Sequence, residues 1–478
     1  RRRGIIRGML AASFKRTKIV ATIGPASREP QVLESLLEAG VNAFRLNLSH
    51  GSHEEHAKIV HHARALTKKH GKPVAVIADL QGPKIRVGSL PADGVPFVRD
   101  QTIRFEIGAD YEASGVIPLQ YDVSVHVKKG ERIFLRDGMI QVEILSVHKS
   151  LITTKVLAPG ILTSNQGMNL PDTDLGGDIL TRKDIADIRF AVENDADYIA
   201  LSFVQTADDI LRLKERLREL KSDMKVIAKI ETAAAIKNLE SIVQATDVIM
   251  VARGDLAVET APETVPAVQR RLIELCKQFH KTVIVATQML ESMTQAPQPT
   301  RAEVSDVATA VLEGADAVML SGETAMGLFP VDTVRMMKRI ILYTEREELP
   351  KLPDRRFDSL NTTATNAIAQ AAVVLAAQLP AKLIFAETSS GNTARNIASL
   401  RPKVPIVIVT HEPRVFQQMA MVWGGKSFLA GSMHNATDQV VAKLRAAGNI
   451  VPGDAIIVAS GNQPGVAGGT DRVRIQLV

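Results

Sequence analysis

Between residues 18 and 323 the chain repeats one pattern: a short β-branched run ends in polar or glycine residues, and a stretch with apolar residues every three or four positions follows. The runs are KIVATIG (18–24), NAFRLNLS (42–49), VAVIADL (74–80), YIALSF (198–203), KVIAKIE (225–231), VIMVARG (248–254), VIVATQ (283–288) and AVMLSGE (317–323). Segments such as EPQVLESLLEAG, DDILRLKERLREL and RAEVSDVATAVLEG carry helical spacing, and two of the three stop at glycine. Strand and helix in alternation predict a parallel sheet, and eight strands close one into a (β/α)8 barrel of the TIM type.

The pattern breaks after the third strand. From about 87 to 169, alternating runs such as RIFLRDGMIQVEIL and LITTKVLAPG predict an inserted, β-barrel-like domain, which must emerge at the C-terminal mouth of the barrel, where it can act as a lid. The predicted division is a tail at 1–14, the barrel at 15–86 and 170–346, the lid at 87–169, a charged and proline-bearing linker at 347–358, and a C-terminal open α/β sheet domain at 359–478.

Composition narrows the function classes. Hydrophobic residues at 45% and charged residues at 23% describe an ordinary globular chain. The net charge of +6 is spread among acids, and four tyrosines with one tryptophan offer few stacking surfaces, so nucleic acid is not expected as a partner. Phosphorylated metabolites fit this balance better. The basic opening RRRGIIRGML has too short an apolar stretch for a signal segment, and no later run suits a membrane span. With Cys276 alone in a helical pattern, a small core hydrophobe in a reducing cytoplasm is expected.

Chemistry in such a barrel gathers at the C-terminal strand ends. Here those ends are polar: Arg45 to His50, Asp79, Lys229 to Glu231, Arg253 to Asp255, Thr287 with Gln288, and Ser321 to Glu323. Alternation puts Arg45, Asn47 and Ser49 on one strand face, and Lys229 with Glu231 on another. One centre can gather the carboxylates of Glu231 and Asp255 with the cations Lys229 and Arg45. The carboxylates suit Mg²⁺, and the cations suit a phosphoryl group.

The ordered segments RLNLSHG, ADLQGPKIR, AKIE, MVARGDLAVE, ATQMLESM with PTRAEVSDVA, and MLSGETA resemble the pyruvate kinases, from about residue 15 to the end. The resemblance implies transfer of the phosphoryl group of phosphoenolpyruvate to ADP, giving pyruvate and ATP in the last step of glycolysis. It implies Mg²⁺, with Mn²⁺ as a substitute, on Glu231 and Asp255. Arg45 and the Gly254 amide would hold the substrate, with Asp255 and Thr287 beside it. Lys229 would neutralise the transferred group, and Thr287 would help relay a proton to the enolate. Arg86, Asn47 and His50 would face the nucleotide phosphates. A homotetramer is also implied.

Four positions depart from the family pattern, the mildest being Ala257 in place of the usual glycine after Asp255 and Leu256. K⁺ in the family sits at residues matching Asn47, Ser49, Asp79 and the Leu80 carbonyl, but Lys84 stands where K⁺-dependent members carry glutamate, so K⁺-independent activity is expected. Gln166 replaces a common lid lysine. The loop Thr388, Ser389, Ser390, Gly391, Asn392 and Thr393 resembles the family's effector-phosphate loop, and Ser389 replaces the lysine of fructose 1,6-bisphosphate binders. A sugar monophosphate or AMP is the expected activator, with Trp423 or the loop at 461–465 closing over it unless Trp423 is core. Another enolate-handling barrel, or a sugar-phosphate sensor without activity, remains an alternative on the residues alone.

Overall fold

The structure is a computed structural model that describes residues 14–83, 85–136, 138–173, 179–349, 363–461 and 469–478. Eight parallel strands close a barrel: β1 (Lys18–Ile23), β2 (Ala43–Asn47), β3 (Ala75–Asp79), β4 (Tyr198–Leu201), β5 (Lys225–Ile230), β6 (Val248–Ala252), β7 (Thr282–Ala286) and β8 (Ala317–Leu320). Closure is made by β1 against β8, with Lys18 opposite Ala317 and Ala21 opposite Leu320. Each strand matches a run seen in the sequence but stops one to three residues sooner, because the polar tails leave the ladder to form loops and short helices. Ser49, Glu231 and Thr287 therefore lie beyond their strands. Arg253, Gly254 and Asp255 open a helix, Arg253–Glu259.

Side chains alternate between two cores. Ile77, Tyr198, Ile227, Met250, Ile284 and Met319 point inward and fill the barrel, while the opposite faces pack on the helices. Ala420 and Met421, from the C-terminal region, join the inner core from below, and the Tyr198 hydroxyl donates to the Gln418 carbonyl at 2.7 Å. The N-terminal mouth is thus stoppered by the C-terminal region. The opposite mouth is left for chemistry.

The insertion contains a six-stranded sheet and a two-stranded sheet, Val95–Phe97 with Gly160–Leu162, around a separate apolar core. Ile85, Val87 and Leu170 already belong to that core, so Arg86 sits on the insertion. Its last strand, Met168–Asn169, reaches back to the barrel: Asn169 Nδ2 donates to Glu259 Oε1 at 2.9 Å.

The C-terminal sheet has five strands in the order Gly425–Leu429, Ile406–Thr410, Leu383–Glu387, Ala455–Gly461 and Thr470–Leu477, the last antiparallel. Trp423 is core: it is buried, with the Arg401 guanidinium 4.7 Å and that of Arg16 5.8 Å from its ring centroid. Arg401 also holds Asp316 at 2.6 Å and the Gly314 carbonyl at 2.7 Å, joining this sheet to the barrel. Cys276 is buried, and burial pushes its thiol far above the ordinary range. Among the described residues no helix is long and apolar enough to cross a membrane. Residues 1–13 of the tail, most of the linker and residues 462–465 lie outside the described residues.

Candidate active site

Four charged residues meet at the C-terminal mouth. Arg45, on β2, donates through Nε to Asp79 Oδ2 of β3 at 2.6 Å and through Nη1 to Thr22 Oγ1 at 3.0 Å. Lys229, on β5, lies 2.8 Å from Glu231 Oε1 and 3.4 Å from Asp79 Oδ1. Its ammonium donates to Ser202 Oγ at 2.7 Å, and that hydroxyl donates in turn to the Leu80 carbonyl at 2.7 Å. Cations and carboxylates therefore alternate along the cluster, which lets four charges share a buried place.

Burial opposes ionisation of Asp79, but Lys229 and Arg45 outweigh it and hold the carboxyl below its usual range. Burial likewise pulls against the Lys229 ammonium, and Asp79 with Glu231 more than reverse that, so the amine stays charged well beyond its ordinary pH. Glu231 moves the other way. Its burial, with the charge of Asp255, raises its pKa against the pull of Lys229. The Phe203 N–H, donating to Glu231 Oε2 at 2.8 Å, fixes the carboxyl in place.

Glu259 is pushed up to about 7, chiefly by burial, with Asp255 and Glu231 among the lesser causes. Three carboxylates, Glu231, Asp255 and Glu259, thus repel one another at the rim of the cluster. A hard divalent cation relieves such repulsion, and the all-oxygen donor set suits Mg²⁺. Glu231 and Asp255 are the two that could hold such an ion, with the rest of its shell left to water and substrate oxygens.

A second group of contacts builds the wall beside it. The Gly254 N–H donates to Thr287 Oγ1 at 2.8 Å, and that hydroxyl donates to the Ala286 carbonyl at 2.6 Å. Thr287 has a φ of 70°, a costly conformation for a β-branched residue. Arg253 holds it there: Nη2 donates to the Thr287 carbonyl at 2.6 Å, while Nη1 is anchored on Asp306 at 2.7 Å.

The loop after β2 carries the remaining residues of this mouth. Asn47 Oδ1 accepts the Ser49 N–H at 3.2 Å, and the Asn47 carbonyl accepts the His50 N–H at 3.2 Å, leaving the His50 side chain exposed. Lys183 fastens the loop by donating to the Leu48 carbonyl at 2.6 Å. Arg86 is not in this group, since its guanidinium donates to the Asn165 carbonyl at 2.9 Å within the insertion. Gln166 also turns inward, donating to Thr163 Oγ1 at 3.1 Å. Lys84 lies outside the described residues.

In the C-terminal sheet, the Thr388 hydroxyl accepts the Gly391 N–H at 2.8 Å, and Gly391, at φ 84°, precedes the helix Asn392–Ser399 with no side-chain cap. Arg395 reaches back to the Ser390 carbonyl at 3.1 Å and to Asn392 Oδ1 at 2.6 Å. Thr393 shares a hydrogen bond of 2.6 Å with Thr470.

Sequence reasoning placed Arg253 at a strand end without giving it a role, and missed Ser202, Glu259 and Thr22 as parts of the mouth. Ser202 follows Ala200 at the strand period, and Glu259 ends the quoted segment MVARGDLAVE, so both carried a signal. Thr22 carried none before the barrel closed. Glu323, at a polar strand end, is a brace: its carboxylate accepts the Ser321 and Leu290 N–H groups at 2.6 and 3.2 Å.

The chain is similar to known proteins along nearly its whole length. Residues 14–334 match the family description "Pyruvate kinase, barrel domain", and residues 366–476 match "Pyruvate kinase, alpha/beta domain". A pyruvate kinase of Agrobacterium vitis is 43% identical over 98% of this chain and 99% of its own length. Those of Sporosarcina psychrophila and Geobacillus stearothermophilus are each 39% identical over 97% of this chain and 81% and 80% of their own lengths.

Proposed function

The chain belongs to the pyruvate kinase family, and from that premise we propose that it transfers the phosphoryl group of phosphoenolpyruvate to ADP at the mouth built by Arg45, Lys229, Glu231 and Asp255. It is a phosphotransferase. The observation that carries the reading is the Lys229 ammonium, kept charged by two carboxylates and aimed into the mouth.

Phosphoryl transfer asks for positioning and charge neutralisation more than for covalent chemistry. Arg45 binds the phosphate of phosphoenolpyruvate, and Asp79 keeps the guanidinium in place for it. Lys229 neutralises charge on the phosphoryl group as it leaves, fixed beforehand by Ser202 so that no reorganisation is needed at the moment of transfer. The Gly254 amide and the Thr287 hydroxyl line the substrate's other side, and Thr287 helps deliver a proton to C3 of the enolate, which becomes the more stable ketone. Mg²⁺ on Glu231 and Asp255, replaceable by Mn²⁺, would supply Lewis-acid stabilisation of the oxygens. Asn47, His50 and Arg86 serve the ADP phosphates, Arg86 once the insertion closes.

Activity is read as K⁺-independent. Lys84 supports this in the sequence, and so do Asp79, already facing Arg45 and Lys229, and the Leu80 carbonyl, already accepting from Ser202. Residues Thr388 to Thr393 are read as the seat of a sugar monophosphate or AMP activator, with Arg395 at hand for its phosphate, in a homotetramer. A coupled assay of ADP-dependent pyruvate formation tests the central reading. Turnover in tetramethylammonium equal to that in KCl is expected. No pyruvate from phosphoenolpyruvate, Mg²⁺ and ADP would remove the assignment.

A further inference from the structure

Two histidines at the start of the helix His53–His70 support the loop after β2, and the reaction as described uses neither. The loop runs from Asn47 to Ser52, where a capping box with Glu55 begins the helix. His56 lies one turn further in, and its Nε2 stands 2.8 Å from the His50 carbonyl. A carbonyl only accepts, so Nε2 is the nitrogen that donates. The backbone closes onto the ring here: Gly51 has a φ of 77°, and a methyl added to it would lie 3.2 Å from that same nitrogen.

The helix Arg182–Glu193, the first helix after the insertion, backs this arrangement. Phe190 packs against both rings, stacked on His53 with centroids 4.3 Å apart and tilted against His56 at 6.5 Å. Buried Asp187 has His53 Nε2 at 2.7 Å from one oxygen and Lys183 Nζ at 2.5 Å from the other. Since Lys183 also donates to the Leu48 carbonyl, the loop is held from two sides, by Lys183 at Leu48 and by His56 at His50.

Packing alone does not account for a histidine at 56. The residue is buried, and its Nδ1 has no hydrogen-bond partner among the described residues. Burial also holds the ring's pKa below its ordinary value, so Nδ1 keeps an unanswered lone pair. An unpaired buried acceptor costs stability that an apolar side chain of similar size would not. What the imidazole contributes in return is the bond to the His50 carbonyl.

We propose that His56 is a positioning residue for ADP: it fixes the His50 carbonyl, so that the loop from Asn47 to Gly51 stands ready for the nucleotide phosphates before ADP arrives. This rests on the reading of Asn47 and His50 as nucleotide residues. His56 itself acts through the loop and touches no substrate. With its bond gone, ADP must order the loop on binding, so the loss falls on nucleotide affinity and not on the transfer step. Arg45 and Lys229 sit on β2 and β5 and keep their places, so phosphoenolpyruvate is held as before.

The test is calorimetric titration of ADP with Mg²⁺ into the full chain, beside steady-state kinetics in which ADP and phosphoenolpyruvate are varied separately. His56→Leu, which keeps an apolar filling, should weaken ADP binding and raise KM for ADP about tenfold, the worth of one hydrogen bond, while kcat and KM for phosphoenolpyruvate stay within about twofold. His56→Gln, whose amide nitrogen can reach the same carbonyl, should return to within about threefold of wild type. The thermal midpoint of His56→Leu should not fall, because the unpaired Nδ1 leaves with the ring. Lys183→Met removes the other tie from an exposed position and should raise KM for ADP with the same selectivity. Unchanged ADP binding in His56→Leu, an equal rise of both KM values in either variant, or no recovery in His56→Gln overturns the proposal. His50→Ala separates the two readings. Weaker ADP binding there with none in His56→Leu removes His56 alone, whereas unchanged binding in His50→Ala removes the nucleotide reading of the loop and this proposal with it.

Discussion

The two ends of the barrel treat buried charge in opposite ways. At the C-terminal mouth Arg45, Asp79, Lys229 and Glu231 alternate in sign, so Lys229 stays charged and Asp79 stays ionised. At the floor burial presses Lys15, Lys18, Lys72 and Lys426 toward neutrality. One end holds its charge with counter-charges, and the other loses it to burial. A site meant to neutralise a moving phosphoryl group must hold its charge at all times.

The largest effect that sharpens this contrast is expected at the mouth. Lys229→Met should lower turnover by about 10³-fold or more while far-ultraviolet circular dichroism stays unchanged, since a preorganised charge is lost from a water-poor site. Retained turnover would end the assignment of that charge. Next, Arg253→Met should relax the φ of Thr287 and cost about 10²-fold in kcat with little change in KM for ADP, because misplacement at the mouth affects the reaction and not nucleotide capture. Ser202→Ala should cost about tenfold in kcat, the worth of one hydrogen bond to a charged group, and steady-state kinetics reads it directly.

The smallest effect belongs to the floor and to pH. The folded chain holds Lys18 at about 7 and Lys72 and Lys426 at about 8, whereas the unfolded chain titrates its lysines near the ordinary 10.5. Between these limits the unfolded state binds more protons, so these groups make the folded state gain stability as pH rises from about 7 to about 10. The thermal midpoint of the ligand-free protein should follow that gain, and Lys72→Gln/Lys426→Gln should follow it less steeply. Equal slopes for the two proteins would break the comparison between the two ends.

The barrel was legible because eight β-branched runs each report one strand, and the Lys229–Glu231 pair because the strand period alone puts the two on one face. Strand ends were less legible. Thr287 and Arg253 leave the ladder through loop geometry that no local pattern encodes. Arg86 was assigned to the nucleotide phosphates by the family resemblance alone, and nothing local showed that its neighbours Ile85 and Val87 would join the insertion's core and carry it onto the insertion. The buried lysines of the floor were invisible for a deeper reason. Lys18 meets the Gly425 carbonyl only when β1 has been paired and the C-terminal sheet has docked beneath it.

The pairing of β1 with β8 also sets the order in which the chain can be made. Lys18–Ile23 emerges early, yet one of its edges has no partner until Ala317–Leu320 has been synthesised. The insertion has no such wait, for every strand of its two sheets lies between Val95 and Asn169. On the ribosome it can complete its own ladders while β1 still presents an open edge of unpaired backbone groups. Dilution or a chaperone that covers that edge therefore governs how much of the newly made chain closes its ring and how much aggregates.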